Sequence, residues 1–105
     1  MSDSDRVLRH VVLFSFVDDA RPEDVRAIEE AFAALPGKID VIHDFEWGTD
    51  VSVENAARGF THCFFVTFRS AEDRDAYLPH PDHRAFGQLL RPFLKQSLVF
   101  DYWTQ

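Results

Sequence analysis

Residues 7–16 read VLRHVVLFSF, a run dominated by β-branched, aromatic and aliphatic side chains. It is too short and too β-branched for a helix and reads as a strand. Alternation puts His10, Val12, Phe14 and Phe16 on one side and Val7, Arg9, Val11 and Leu13 on the other. Neither side is polar enough to face water, so both faces of the sheet built around this strand need a cover.

Working outward, Asp18–Arg21 is a turn and Pro22 suits a first helical position. Val25, Ile28, Phe32 and Leu35 recur at helical spacing, with Glu23 and Asp24 at the positive end of the dipole. Pro36-Gly37 stops this helix. A second strand is expected over 41–49, with His43, Phe45 and Trp47 opposite Asp44 and Glu46. Polar residues 50–59, with a loose helical turn, lead to a third strand, THCFFVTF at 61–68. Ser70 caps a second helix over 71–78, with Asp73 in a capping-box role. Pro79 and Pro81 interrupt it, and it resumes over 82–94 with Phe86, Leu89, Leu90, Phe93 and Leu94 as its apolar set. SLVFDYW, 97–103, is the fourth strand.

Strand, helix, strand, strand, helix, strand is the pattern of an α+β ferredoxin-like βαββαβ sandwich. Two helices cover one face of a four-stranded sheet. The third strand is as apolar on both sides as the first, with Phe64, Val66 and Phe68 opposing Cys63 and Phe65. The uncovered face therefore predicts a homodimer through sheet faces. The first and third strands are expected as central, parallel neighbours, which would bring His10 and His62 to one end of a helix-side cavity, near the second helix.

With 105 residues the chain is one domain, 1–105, and its eleven Phe are a heavy apolar load for that size. A net charge of −7 without a basic stripe excludes a nucleic-acid footprint. The lone Cys63 forms no intrachain disulfide and fits a reduced, cytoplasmic setting as a buried small hydrophobe. MSDSDR at the start is polar, unlike a signal peptide, and no run is long enough to span a bilayer. Four histidines and Asp82 do not form a metal motif, because HPDH does not follow one helical face. Neither metal nor cofactor is expected. Asp44 and Glu46, roughly 7 Å apart by strand geometry, read as a solvated edge, as do Glu29 and Glu30. Trp47 and Trp103 fit interface or pocket walls, and Gly48 and Gly59 fit turns.

RHVVLFSF, WGTDVSVENAARGFTHCFFVTF, DAYLPHPDHRAF and LVFDY together resemble the stress-responsive A/B barrel (Dabb) family of the dimeric α/β-barrel superfamily. The resemblance spans nearly the whole chain. It implies a ferredoxin-like protomer forming a dimeric α/β barrel, and no single function. Members include plant stress proteins without settled chemistry, a plant cyclase that closes a linear tetraketide by intramolecular aldol condensation, and fern enzymes that cleave hydroxynitriles. The family's HPxH pattern implies His83 as the catalytic histidine, Tyr77 as the catalytic tyrosine, and His10 and His62 as pocket histidines. The chain departs from the cyclase pattern at Cys63, Phe64 and Phe65 and in its acidic, Ala-rich first helix, which argues against a long alkyl substrate.

In chemical terms, a neutral imidazole at His83 can serve as base and then acid near pH 7, and a Tyr77 hydroxyl can donate to a developing oxyanion. His10 and His62 would orient a carbonyl substrate. His80, between the prolines, would contact ligand or, more simply, bond a loop carbonyl. The expected activity is a cofactor-independent lyase or cyclase on a small hydrophobic, carbonyl-containing, polyketide-like molecule. The alternatives are a stress-associated homodimeric protein and a hydrophobic ligand-binding module without catalysis.

Overall fold

The computed structural model describes residues 5–105; the first four residues of the polar lead lie outside the described residues. The elements are β1 (Leu8–Phe16), α1 (Pro22–Ala34), β2 (Asp44–Thr49), β3 (His62–Phe68), α2 (Ala71–Tyr77), α3 (Pro81–Leu90) and β4 (Leu94–Trp103), with short 3-10 turns at Leu35–Gly37 and Arg91–Phe93. This is the expected βαββαβ order with its second helix split in two.

One sheet carries the order β2-β3-β1-β4. It is open, with β2 and β4 as free edges, so the expected closure into a barrel is wrong for this chain. Every neighbouring pair is antiparallel, β1 with β3 included. The expectation of parallel central strands is therefore also wrong. In the β1/β3 ladder His10 faces Val66 and Phe14 faces His62. Reversing one strand sends the two histidines to opposite ends of the helix-covered face, four residues or roughly 13 Å apart along β1.

The core lies between that face and the helices. Alternate residues of β1 and β3, among them Val12, Phe14, Phe64, Val66 and Phe68, pack against Ile28 and Phe32 of α1 and Phe86 and Leu90 of α3. Phe32 lies flat on Phe64, with centroids 4.3 Å apart and planes at 4°. Its buried ring is worth about 3–5 kcal/mol against alanine. The Ser70 hydroxyl accepts from the Asp73 amide at 3.0 Å, as a cap should.

Three local expectations shift. The second helix stops at Leu90 instead of Leu94: the chain turns at Arg91–Phe93 and Leu94 enters β4, because pairing with β1 across a bulge at Ser15/Phe16 outweighs helical periodicity. Gly48 is a ladder residue opposite Cys63, whereas Gly59 occupies a turn with φ +86°. Residues 50–59 hold bends and turns without a helix.

The uncovered face carries Val11 and Leu13 of β1, Cys63 and Phe65 of β3, and Leu98, Phe100 and Tyr102 of β4. Cys63 is half-buried there instead of sitting in the core. Leu98 is 48% and Phe100 62% exposed, a contiguous apolar surface larger than isolated surface residues would make.

Candidate active site

The stretch YLPHPDH makes the site by ending one helix and starting another. Tyr77 is the last residue of α2, His80 caps α3, Pro81 fills its first position, and His83 follows in its first turn. The bend folds α3 back, so Tyr77 and His83 meet with ring centroids 4.4 Å apart. His10 reaches the same point from β1, 5.8 Å from the Tyr77 ring.

These three side chains line one cavity of about 340 Å³. Val12, Phe14, Phe86, Leu90 and Val99 supply apolar wall, and His10, Tyr77, His83 and Asp101 form its polar end. An apolar enclosure with a few convergent polar groups is the usual build of a small-molecule site.

Each polar group is held in a defined state. His83 Nδ1–H donates to the Leu78 carbonyl at 2.9 Å, leaving Nε2 as the basic nitrogen. Burial lowers the pKa of His83 from its ordinary 6.5, against the raising effect of the Leu78 bond and with smaller lowering contributions from His10 and His80. The ring is therefore neutral at pH 7. Burial alone pushes the Tyr77 phenol well above its ordinary value, so it stays a donor. Its hydroxyl has no hydrogen-bond partner among the described residues. A buried hydroxyl without a partner is an exception that calls for a reason, and an oxygen of a ligand or of a bound water would each supply one.

His10 has a partner that sequence reading missed. Its Nδ1–H donates to Asp101 Oδ1 at 2.7 Å, and Arg74 Nη1 donates to Asp101 Oδ2 at 3.2 Å. Asp101 thus fixes the His10 tautomer and ring orientation from the opposite edge of β1. In sequence it is one acidic residue inside an apolar strand, and its position opposite His10 in the β1/β4 register is what gives it meaning.

The remaining two candidates sit elsewhere. His80 accepts the Asp82 amide on Nδ1 at 3.1 Å and serves as the cap of α3, bonding an amide and not a carbonyl. His62 is buried on the helix-covered face at the far end from His10, against Phe16 and Trp47. Glu29, expected to be solvated, is half-buried and accepts from His62 Nε2 at 2.7 Å. Among the described residues no group of three or more His, Cys, Asp and Glu is placed to hold a metal ion.

Residues 8–104 match the model of the Stress responsive A/B Barrel Domain. The chain belongs to that family. It is 37% identical over 102 residues to the stress-response A/B barrel domain-containing protein HS1 of Arabidopsis thaliana, covering 97% of this chain and 94% of that one. To the olivetolic acid cyclase of Cannabis sativa it is 33% identical over 95 residues, 90% of this chain and 94% of the relative. Its structure superposes on a hydroxynitrile lyase from Passiflora edulis with a TM-score of 0.88 at 25% identity, covering 94% of each chain. A dimeric ferredoxin-like protein of unknown function from Thermobifida fusca gives a TM-score of 0.79 at 26% identity over 92% of this chain and 90% of its own. The family and fold thus include a cyclase and a lyase acting on small molecules, and proteins that dimerise.

Proposed function

We propose that the chain is a small cofactor-independent lyase or cyclase acting on a hydrophobic carbonyl compound in the cavity between β1, β4 and α3. The observation that carries this reading is the buried, partnerless Tyr77 hydroxyl beside a neutral His83 whose other nitrogen is tied to Leu78 O. A cyclase and a hydroxynitrile lyase among the relatives support the reaction class.

For ring closure, His83 Nε2 removes a proton from the carbon next to a carbonyl, and Tyr77 donates to the enolate oxygen. The carbanion attacks a second carbonyl of the same molecule, and the new alkoxide takes the proton back from His83. For a hydroxynitrile, His83 takes the hydroxyl proton, the carbon–cyanide bond breaks, and cyanide receives that proton. His10, oriented by Asp101, holds the carbonyl oxygen in either case. No step needs an oxidant or a cofactor.

Homodimerisation through the uncovered sheet faces, on the side of the sheet away from this cavity, is supported by the apolar surface of Leu98 and Phe100 and by a dimeric relative. Turnover of linear polyketide thioesters and of cyanohydrins, measured for the wild type and for His83→Ala and Tyr77→Phe at matched folding, tests the proposal. Acceleration of one class that both variants lose supports it. Rates equal to buffer for both classes, or unchanged in His83→Ala, overturn it.

A further inference from the structure

A second constellation lies at the far end of β1 and plays no part in the chemistry above. His62 is 8% exposed, and both ring nitrogens are engaged. Its Nε2–H donates to Glu29 Oε2 at 2.7 Å. Nδ1 then carries the lone pair and accepts the Thr61 hydroxyl at 2.7 Å. Phe16 meets the ring edge-on at 5.0 Å and Trp47 is parallel to it, so the imidazole is held in that orientation.

The geometry points to Thr61 as a nucleophile for acyl transfer, with His62 as its base and Glu29 as the residue that positions the imidazole, acting on small carboxylic esters or thioesters. A hydroxyl is a weak nucleophile at neutral pH unless a base is hydrogen-bonded to it and a third group orients that base. All three links are present here. The nucleophile also has somewhere to act: Thr61 and His62 line a cavity of about 480 Å³ with Ser15, Lys95 and Gln96. Lys95 and Gln96 bring the side-chain donors of that wall, beside the Asp18 carboxylate. The Ser15 hydroxyl in the same wall is buried without a partner among the described residues, and the β-bulge at Ser15/Phe16 is a feature that recurs beside active sites.

Thr61 Oγ attacks the acyl carbon while its proton passes to His62 Nδ1. The tetrahedral intermediate collapses, and the leaving alkoxide or thiolate takes that proton, leaving the acyl group on Thr61. Water then attacks; His62 accepts its proton and returns it to Thr61 as the acid departs. Glu29 stays ionised throughout and holds Nε2–H.

The probe is p-nitrophenyl acetate with the full chain. We expect release of p-nitrophenolate, an acetyl group mapped by mass spectrometry to Thr61, and loss of release by about a hundredfold or more in Thr61→Ala with retention in Thr61→Ser. Glu29→Gln slows release at unchanged melting temperature, and Glu29→Asp restores part of it. His83→Ala loses the carbonyl chemistry of the other cavity and keeps ester release, so the two assignments fail separately. No release above buffer, release unchanged in Thr61→Ala, or an acetyl group on Cys63 or Lys95 instead would overturn the assignment.

Discussion

His83 leans on the phenol ring of Tyr77 with ring centroids 4.4 Å apart and planes at 45°. The contact joins residues from two helices that a pair of prolines separates. It places an imidazole of lowered pKa beside a phenol of raised pKa, so at neutral pH the first has a free lone pair and the second keeps its proton. Environments that push two groups apart in this way support the acid and base roles proposed for them.

The pH dependence of turnover follows from the base. In the proposed mechanism His83 works when neutral, and burial holds its pKa below the ordinary 6.5. The acid limb of the rate profile is therefore expected below pH 6.5, and His83→Ala removes that limb with the activity. Stability moves in the same direction. Because the folded pKa is depressed, the unfolded chain binds the proton first, so the contribution is full above 6.5 and lost as pH falls through the folded value. Denaturation midpoints on either side of about pH 6.5 measure it.

Tyr77→Phe separates function from stability. The hydroxyl is buried without a partner among the described residues, so removing it relieves a desolvation cost of about 1–3 kcal/mol, and the variant should melt at or above the wild-type temperature. Turnover should fall about 10²–10³-fold with the loss of an oxyanion donor. A destabilised Tyr77→Phe would mean that the hydroxyl is bonded in the folded protein.

Asp101 links His10 to Arg74, with bonds of 2.7 and 3.2 Å. Asp101→Ala leaves the His10 Nδ1–H without an acceptor and Arg74 without that partner. Because Asp101 is partly exposed, the cost in stability is about 1 kcal/mol. The expected kinetic signature is a raised KM with a smaller change in kcat, since in the proposed mechanism His10 orients the carbonyl and moves no proton. Nuclear magnetic resonance of the His10 ring nitrogens reports the lost tautomer directly.

On the uncovered face, Phe100→Lys puts a charge at the centre of the apolar surface shared with Leu98 and Phe65. Sedimentation should find dimers of the wild type and monomers of the variant at micromolar concentration. The same sedimentation profile for both proteins would place the dimer contact elsewhere.

Periodicity and turn chemistry made the element order readable, because each helix and strand carries its own local signal at Pro22, Pro36-Gly37, Ser70 and Pro81. Strand direction is a non-local property, and its misreading moved His62 to the wrong end of the sheet. Pairings across the fold were invisible for the same reason. Asp101 and Glu29 look like ordinary acidic residues until the sheet register and the packing of α1 set them 2.7 Å from His10 and His62. That Tyr77 and His83 meet was legible because the stretch between them is local and interrupted by two prolines, whereas their candidate roles came from the family resemblance.

The most direct test of the central claim is exchange of the protons next to the carbonyl of a simple ketone, phenylacetone, into deuterated water, followed by proton nuclear magnetic resonance. The wild type is expected to speed this exchange over buffer, and His83→Ala, with its fold intact, is not. Exchange at the buffer rate with wild type, or equal acceleration by His83→Ala, would contradict it.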